Sequence, residues 1–215
     1  MTLRLENLVI YNREGETLFS PINMEVESNT VTVVMGPSGC GKSTLLNFIA
    51  GHHSDDFNYE GTITLNDEVI SELPAHKRNI GILFQDDLLF PHLNVWQNLA
   101  FALPNSIKKA EREERAHQAL KRIGLENIAH SYPSQISGGQ RARVSLIRML
   151  LANPSAVLLD EPFSKLDKDL RIQFRNWVFE QLSEAKIPTL LVTHDQSDVP
   201  QTGQIANFEW THTHA

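Results

Sequence analysis

The chain has 215 residues, 41% of them hydrophobic, which is enough for one large domain or for a core with a subdomain. Its formal charge of −7 argues against a nucleic-acid-binding surface, and its single cysteine excludes an internal disulfide. The N-terminus has no signal-peptide core, and no run approaches the roughly 20 apolar residues of a membrane span. Work at a membrane would therefore require a membrane-spanning partner.

The N-terminal part of the chain is predicted to form mostly strands. Residues 3–11 alternate imperfectly between apolar and polar, residues 12–16 form a polar turn, and residues 22–27 alternate again, which predicts an antiparallel arrangement. Tyr11 lies at the end of the first of these strands, where a lone aromatic side chain more often packs than binds a base. Further along, we predict a polar loop at 52–59 and strands at 61–65 and 80–85.

Residues 31–46, VTVVMGPSGCGKSTLL, read as a strand, a glycine turn and a helix. The glycines allow the backbone to turn its N–H groups inward and to form an anion nest. Lys42 and Ser43 complete the pattern G-x-x-x-x-G-K-[ST], which places an ammonium group near phosphates and a hydroxyl group on Mg²⁺ at a helix N-terminus. This stretch is therefore predicted to be a phosphate-binding loop, formed by Gly36, Pro37, Ser38, Gly39, Cys40, Gly41, Lys42, Ser43 and Thr44.

The middle of the chain, about 88–152, is predicted to be mostly helical. Asn94 is suited to cap a helix that runs through Leu103, and residues 108–123 have the apolar periodicity of a second helix. In ISGGQ, Ser137 and Gln140 form the capping box of a third helix.

The first turn of this third helix contains Gly138 and Gly139, although each glycine costs about 1 kcal/mol relative to alanine in a helix. Two glycines there are expected if an anion approaches the free N–H groups of the helix N-terminus. A glycine-rich cap without a ligand is the alternative.

Two carboxylates follow the short apolar strand predicted at 156–159. Asp160 and Glu161 lie where open α/β sheets bind their ligands, at the carboxyl end of a strand. Asp160 is suited to serve Mg²⁺, and Glu161 to orient and deprotonate a water molecule. Asp167 begins an amphipathic helix, and His194 follows the last predicted core strand at the same edge as the phosphate loop, although an isolated histidine is more often structural.

Together these residues resemble the motifs of the ATP-binding cassette (ABC) ATPases, the nucleotide-binding subunits of ABC transporters. The motifs occur in the family's order: Walker A at 36–44, the Q-loop at Gln85, the signature ISGGQ at 136–140, Walker B in VLLDEP, the D-loop SKLD at 164–167, and the switch histidine at His194. Because the signature distinguishes this family from other phosphate-loop ATPases, the chain is identified as a member of it.

The resemblance implies an α/β fold with a phosphate-loop (RecA-like) core, an N-terminal antiparallel β subdomain and an inserted α-helical subdomain. A single ABC ATPase domain would cover residues 1–215. The core would comprise residues 1–87 and 153–215, and the helical subdomain with the signature would comprise residues 88–152.

The resemblance also implies ATP and Mg²⁺ as cofactors, and a homodimer in the ATP-bound state with ATP between the Walker A loop of one copy and the signature of the other. Tyr11 would stack on adenine. The catalytic residues would be Lys42, Gln85, Glu161 and His194. Mg²⁺ would be held by Ser43, Gln85 and Asp160. Further nucleotide contacts would come from Ser137, Gly138, Gly139, Gln140 and Asp167.

Within the family, the single cassette and the stretches RNIGILFQDDLLFPHLNV and YPSQISGGQ resemble importers, and most of all the short ATPases of the uncharacterised bacterial Ynj-type import system. This implies ATP hydrolysis that powers solute uptake, on the cytoplasmic side of the inner membrane as a peripheral subunit. The implied partners are membrane-spanning permease subunits and, indirectly, a solute-binding protein. The segment DQSDVPQTG and the early end of the chain imply no regulatory β domain, and Lys165 replaces the commoner small residue of the D-loop.

Three other functions are weighed against this one. A soluble ABC-type ATPase acting on translation or DNA usually has two cassettes, a coiled coil or basic segments, none of which is seen. A GTPase is suggested by the faint likeness of SKLD to [NT]-K-x-D, but SKLD lies too close to Asp160 for a separate base pocket. A scaffold that binds ATP without hydrolysing it is disfavoured by Glu161.

Two histidine-containing stretches raise the possibility of metal binding. His52 and His53 have no further spaced ligands, so surface residues are favoured over a metal site. The terminal THTHA at 211–215 is suited at most to weak metal binding, and a disordered terminus is favoured there.

Overall fold

The computed structural model describes residues 1–211, which form two compact units. The first unit contains Met1–Ile82, Ser155–Glu161 and the residues from Phe179 onward, and the second contains Leu83–Pro154 and Pro162–Val178. Most of the predicted terminal stretch THTHA, residues 212–215, lies outside the described residues. The division into a core and a helical subdomain at 88–152 stays a prediction.

The strands of the described chain, in order, are β1 Thr2–Asn12, β2 Ile22–Glu27, β3 Val31–Met35, β4 Phe57–Leu65, β5 Glu68–Val69, β6 Ile80–Leu83, β7 Ala156–Asp160, β8 Thr189–Thr193 and β9 Gln204–Ala206. The α-helices are α1 Lys42–Ala50, α2 Val95–Ala102, α3 Lys109–Arg122, α4 Gly138–Leu151 and α5 Lys168–Ala185. Short 3₁₀ turns lie at Ala75–Lys77, Glu126–Ile128, Pro133–Gln135 and Gln196–Asp198. The predicted α/β fold class is confirmed.

The first sheet is antiparallel, with the strand order β2-β1-β4-β5. β1 pairs with both β2 and β4, and its end is in register with the start of β4, where Asn12 pairs with Phe57 and Ile10 with Tyr59. The predicted loop at 52–59 is therefore wrong for its last three residues. The polar sequence FNYE forms a strand because β1 supplies its hydrogen-bonding partners, and no local pattern indicates this.

The second sheet has the strand order β6-β7-β8-β3-β9, and β7, β8, β3 and β9 run parallel. The strands at its centre are mostly apolar because both of their faces are covered. Every residue of β8 is buried, including its two threonines. In parallel strands the carboxyl ends share one edge, so this edge carries the phosphate loop after β3, Glu161 after β7 and His194 after β8.

The second unit has a helical core of its own, built on α2, α3 and α4. Asn94 and Ser137 cap α2 and α4 through complete capping boxes, as their sequences predict. The fully buried side chains between the helices include Val95, Leu99, Ala116, Leu120 and Val144. No helix within residues 1–211 combines the length and the apolar character needed to cross a bilayer.

Candidate active site

The phosphate loop connects β3 with α1, as predicted. Gly39 and Gly41 have φ of 81° and 104°, which side chains other than glycine rarely adopt. Helix α1 ends at Gly51, whose left-handed conformation (φ 86°) lets its N–H bond to carbonyls of the last turn. The local glycine pattern therefore sets both the turn of the loop and the length of the helix.

Lys42, the charged residue of the loop, has a buried side chain with 4% exposure. Its Nζ donates to the carbonyl oxygens of Gly36 at 2.9 Å and Pro37 at 2.7 Å, so the ammonium group is held inside the curve of the loop. It also lies 3.3 Å from Oε1 of Glu161. The loop therefore presents a desolvated positive charge directly beside a carboxylate, where electrostatic interactions are stronger than in water.

Ser43 and Asp160 form the part of the site suited to a divalent cation. The exposed Ser43 donates its hydroxyl to Oδ1 of Asp160 at 2.9 Å. Burial raises the pKa of Asp160, an effect that the Ser43 hydrogen bond and the nearby Lys42 oppose. A hydroxyl oxygen next to a partly desolvated carboxylate is the oxygen donor set that Mg²⁺ prefers, so these residues fit the ion.

Glu161 links the loop lysine to the histidine at the end of β8. Oε2 of Glu161 lies 3.0 Å from Nδ1 of His194, while Oε1 faces Lys42. Glu161 has a φ of 44°, a left-handed conformation that costs a non-glycine residue of the order of 1–3 kcal/mol. Its backbone N–H is held by the carbonyl of Val192 at 3.0 Å, which fixes the strained residue against β8.

Tyr11 is half-buried near the end of β1, where it pairs with Asn58 of β4 and bridges to Thr17. Its position at the strand end agrees with the sequence, while its proposed stacking on adenine stays a prediction.

The signature residues line a cavity of about 440 Å³ in the second unit, together with Lys165, Asp167 and Leu170. Ser137 caps α4 by accepting from the N–H of Gln140 at 3.2 Å. A Cβ at Gly138 would meet only an ordinary contact at 3.6 Å, so this position is open. At Gly139, however, a Cβ would lie 3.1 Å from Leu170, so this glycine has a packing role that the sequence does not reveal.

The Q-loop and the D-loop are joined by two side-chain contacts within the second unit. Nε2 of Gln85 donates to Oγ of Ser164 at 2.8 Å, and the exposed Lys165 pairs with Asp86. The uncommon D-loop lysine thus has an identified partner next to Gln85. Asp167 accepts from the N–H of Leu170 at 3.1 Å and so starts α5, as predicted.

Sequence analysis missed Arg78, which is 1% exposed and anchors the far end of α1. Its guanidinium donates to the carbonyls of Phe48 at 2.8 Å and Ile49 at 3.0 Å, and also to those of Leu73 and Ser71. Burial lowers the pKa of Arg78. The favourable position of a cation at a helix C-terminus is a known signal, but the sequence does not say which arginine reaches α1.

A second missed group fixes the apolar segment 88–93, which follows the Q-loop. The fully buried Asn98 accepts from the N–H of Phe90 at 2.8 Å and donates to the carbonyls of Phe90, Leu93 and Asn94. Arg148 of α4 donates to the carbonyl of Leu88 at 2.9 Å. This irregular segment therefore has a defined shape.

The histidine pair at 52–53 forms no metal centre with other ligands: within residues 1–211, no group of three or more His, Cys, Asp and Glu side chains is suited to hold a metal ion. His53 stacks on Tyr59 at 5.3 Å and lies next to Arg78.

Comparison with known proteins identifies the family. A family model described as ABC transporter matches residues 19–164. The chain is 47% identical over 195 residues to the uncharacterized ABC transporter ATP-binding protein YnjD of Escherichia coli (strain K12), with 90% of each chain covered.

Two longer proteins are also similar. The chain is 42% identical to the Fe(3+) ions import ATP-binding protein FbpC 2 of Pectobacterium atrosepticum, with 86% of this chain and 53% of that protein covered. It is 43% identical to the sulfate/thiosulfate import ATP-binding protein CysA of Synechocystis, with 85% and 51% covered, so it spans about half the length of these two relatives. The family predicted from the motifs is confirmed: this chain belongs to the ABC transporter family, as one of its ATP-binding, ATP-hydrolysing subunits.

Proposed function

We propose that this chain powers the uptake of a solute by a bacterial ABC importer, hydrolysing ATP on the cytoplasmic side of the inner membrane while separate permease subunits form the pathway. The observation that carries the proposal is the cluster of Lys42, Glu161 and His194, with Ser43 and Asp160 alongside. These side chains supply a phosphate-binding cation, a base for water and a metal-binding pair.

Binding of ATP would begin with an exchange of partners at Lys42. The ammonium group touches Glu161 at 3.3 Å, and the phosphate oxygens of ATP compete for the same charge. As Lys42 turns to the phosphates, the Glu161 carboxylate is released from this ion pair and becomes available to a water molecule. The binding of substrate thus prepares the base, which couples phosphate recognition to activation of water.

Ser43 and Asp160 would hold Mg²⁺, which when bound supplies positive charge to the phosphate oxygens. Glu161 would accept a proton from the water that attacks the γ-phosphorus, and the strained backbone fixes its carboxylate toward the site. His194 would contact the γ-phosphate, and its hydrogen bond to Glu161 orients the two side chains relative to each other. Tyr11 would stack on adenine. Gln85 would change its position with the nucleotide state of the ATP site.

Hydrolysis would require a homodimer in the ATP-bound state. The capped N-terminus of α4 has free N–H groups and an open Gly138, and its adjoining cavity includes Asp167. Such an end favours an anion. In the proposed dimer, Ser137 and its neighbours approach the γ-phosphate held by the partner's phosphate loop.

Coupling to permease subunits would use the apolar surface after the Q-loop. Leu88 is 56% exposed and Phe101 66%, and the ring of Phe101 packs on Phe90 at 4.9 Å. The two similar import proteins are named for the import of Fe(3+) ions and of sulfate or thiosulfate. The solute of this system would be recognised by its permease and by a solute-binding protein outside the membrane.

Purification from membranes of the native host tests this proposal. A tagged chain is expected to co-purify with multispanning membrane proteins and to hydrolyse ATP, while a Lys42→Ala chain retains the partners but loses hydrolysis. A tagged chain that hydrolyses ATP yet recovers no membrane-spanning partner from detergent extracts would contradict the importer assignment and favour a soluble ATPase.

A further inference from the structure

The C-terminal segment of the described chain is fixed next to the phosphate loop. After β9, which pairs with β3, the chain forms an antiparallel bridge between Trp210 and Phe19. The N–H of Ser20 donates to the carbonyl of Glu209 at 2.9 Å, and the N–H of Thr211 to that of Leu18 at 3.1 Å. This pairing places the Trp210 side chain in a defined position.

The indole of Trp210 contacts the backbone at the start of the phosphate loop. Its Nε1 donates to the carbonyl oxygen of Met35, the last residue of β3, at 2.9 Å. A Cβ at Gly36 would lie 2.6 Å from the same nitrogen and 2.8 Å from Sγ of Cys40. The indole therefore lies directly against Gly36, which explains why this position needs a glycine although its φ is not in the left-handed region.

Two further aromatic rings hold the indole in place. Phe19, which is fully buried, meets Trp210 edge-on with centroids 5.7 Å apart. Phe208 lies 4.9 Å from Trp210 and 5.8 Å from Phe19. Such aromatic contacts restrict the orientation of the rings, so the indole N–H stays directed at the carbonyl of Met35.

We propose that Trp210 is a positioning residue of the ATP site. It holds the peptide group between Met35 and Gly36, and the carbonyl of Gly36 in turn accepts from Nζ of Lys42 at 2.9 Å. Trp210 thereby sets the position of the lysine that receives the phosphates. This inference rests on the ATP site proposed above.

A role in positioning differs from a role in folding alone by its effect on nucleotide affinity. A loop that is less ordered before binding must be ordered by ATP, which weakens binding without altering the chemical step. Trp210→Phe keeps an aromatic ring but removes the N–H donor. We expect it to raise the dissociation constant for a non-hydrolysable ATP analogue about threefold to tenfold, the usual effect of one hydrogen bond, with kcat changed less than twofold.

Trp177→Phe is the matched control, since Trp177 packs on Phe174 and Arg143 in the second unit. Its affinity for the analogue should equal that of the wild type. If Trp210→Phe binds the analogue as tightly as the wild type, the positioning role is refuted, even where the variant is less stable. The Lys42→Ala variant distinguishes failure of the Trp210 proposal from failure of the proposed ATP site. If Lys42→Ala binds the ATP analogue as tightly as the wild type, the phosphate site itself is misassigned.

A spectroscopic test uses the chain Trp96→Phe/Trp177→Phe, in which Trp210 is the one remaining tryptophan. Titration with the ATP analogue should change the Trp210 emission and saturate with the dissociation constant measured by calorimetry. Emission that stays constant while calorimetry reports binding would contradict contact between Trp210 and a responsive loop.

Discussion

Nδ1 of His194 lies 3.0 Å from Oε2 of Glu161, so two residues from the ends of neighbouring parallel strands meet at one hydrogen bond. Their separation in sequence is large, but β7 and β8 are adjacent in the sheet and place both residues at the edge that carries the phosphate loop. Glu161, the proposed base, and its histidine partner are thus positioned by backbone pairing.

Glu161→Gln is expected to abolish hydrolysis while ATP binding persists, because the amide cannot accept the proton of water. We expect the rate of phosphate release to fall at least about 100-fold, and ATP to trap a stable dimer in size-exclusion chromatography. Glu180→Gln, an exposed change on α5, is the control and should match the wild type. Hydrolysis at the wild-type rate in Glu161→Gln would refute the assignment of the base.

The left-handed backbone of Glu161 predicts a difference between two inactive variants. Glu161→Ala and Glu161→Gly both lack the carboxylate, but only alanine retains a Cβ at a φ of 44°. Glycine should therefore be the more stable of the two by roughly 1 kcal/mol in urea unfolding. Equal stability of the two variants would mean that the conformation is not strained.

The raised pKa of Asp160 predicts that replacing its carboxylate by a neutral group stabilises the folded protein, and that the gain depends on pH. Burial raises its pKa in the folded protein, so ionisation of Asp160 opposes folding at neutral pH, and this penalty declines as pH falls through the raised pKa. Asp160→Asn should melt at a higher temperature than the wild type at pH 7, with the difference shrinking toward pH 4, and should bind Mg²⁺–ATP more weakly. A difference in melting temperature that grows as the pH falls would contradict this prediction.

Replacement of Arg78, which lies at the end of α1 away from the phosphate loop, is expected to cause a large loss of stability. Arg78→Met removes the donors to four carbonyl groups while keeping an apolar stem, and we expect the free energy of unfolding to fall by roughly 2–4 kcal/mol. Arg13→Met is the control, because the ion pair of Arg13 with Asp56 is exposed and should contribute at most about 1 kcal/mol. Similar losses in the two variants would contradict this account.

Asn98 predicts local loosening of the segment after the Q-loop. Asn98→Ala leaves the N–H of Phe90 without its side-chain acceptor, so amide exchange of residues 90–94 should accelerate, and the free energy of unfolding should fall by about 1–3 kcal/mol. Asn105→Ala, at an exposed position, should stay within about 0.5 kcal/mol of the wild type. Unchanged exchange in Asn98→Ala would show that other contacts hold the segment.

The features that sequence predicted well are those specified by neighbouring residues. The caps at Asn94 and Ser137 depend on side chains within a few positions of each helix start. The features it missed depend on partners distant in the chain. Phe57–Tyr59 form a strand because they pair with β1. Arg78 acquires its role only when four carbonyls from two separate segments, 48–49 and 71–73, converge on it.

The contact of Trp210 with the phosphate loop could not be predicted from the sequence either, because its partners are distant in the chain. A single aromatic residue near the end of the chain carries no motif, and its contact with the loop depends on the pairing of its segment with residues 18–20. Ser43 and Asp160 could be predicted as a pair from their motifs, whereas their direct hydrogen bond required the structure.

The position of β3 between β8 and β9 determines when this site can exist during synthesis. Both sheet neighbours of the strand before the phosphate loop come from the end of the chain, and at 5–20 residues per second the ribosome reaches them on the order of ten to thirty seconds after Met35. Until then β3 has two unpaired edges, and Lys42 has neither Glu161 nor His194 nearby. A nascent chain therefore carries the complete Walker A sequence before it has a complete ATP site, and until then it exposes strand edges of the kind that favour aggregation.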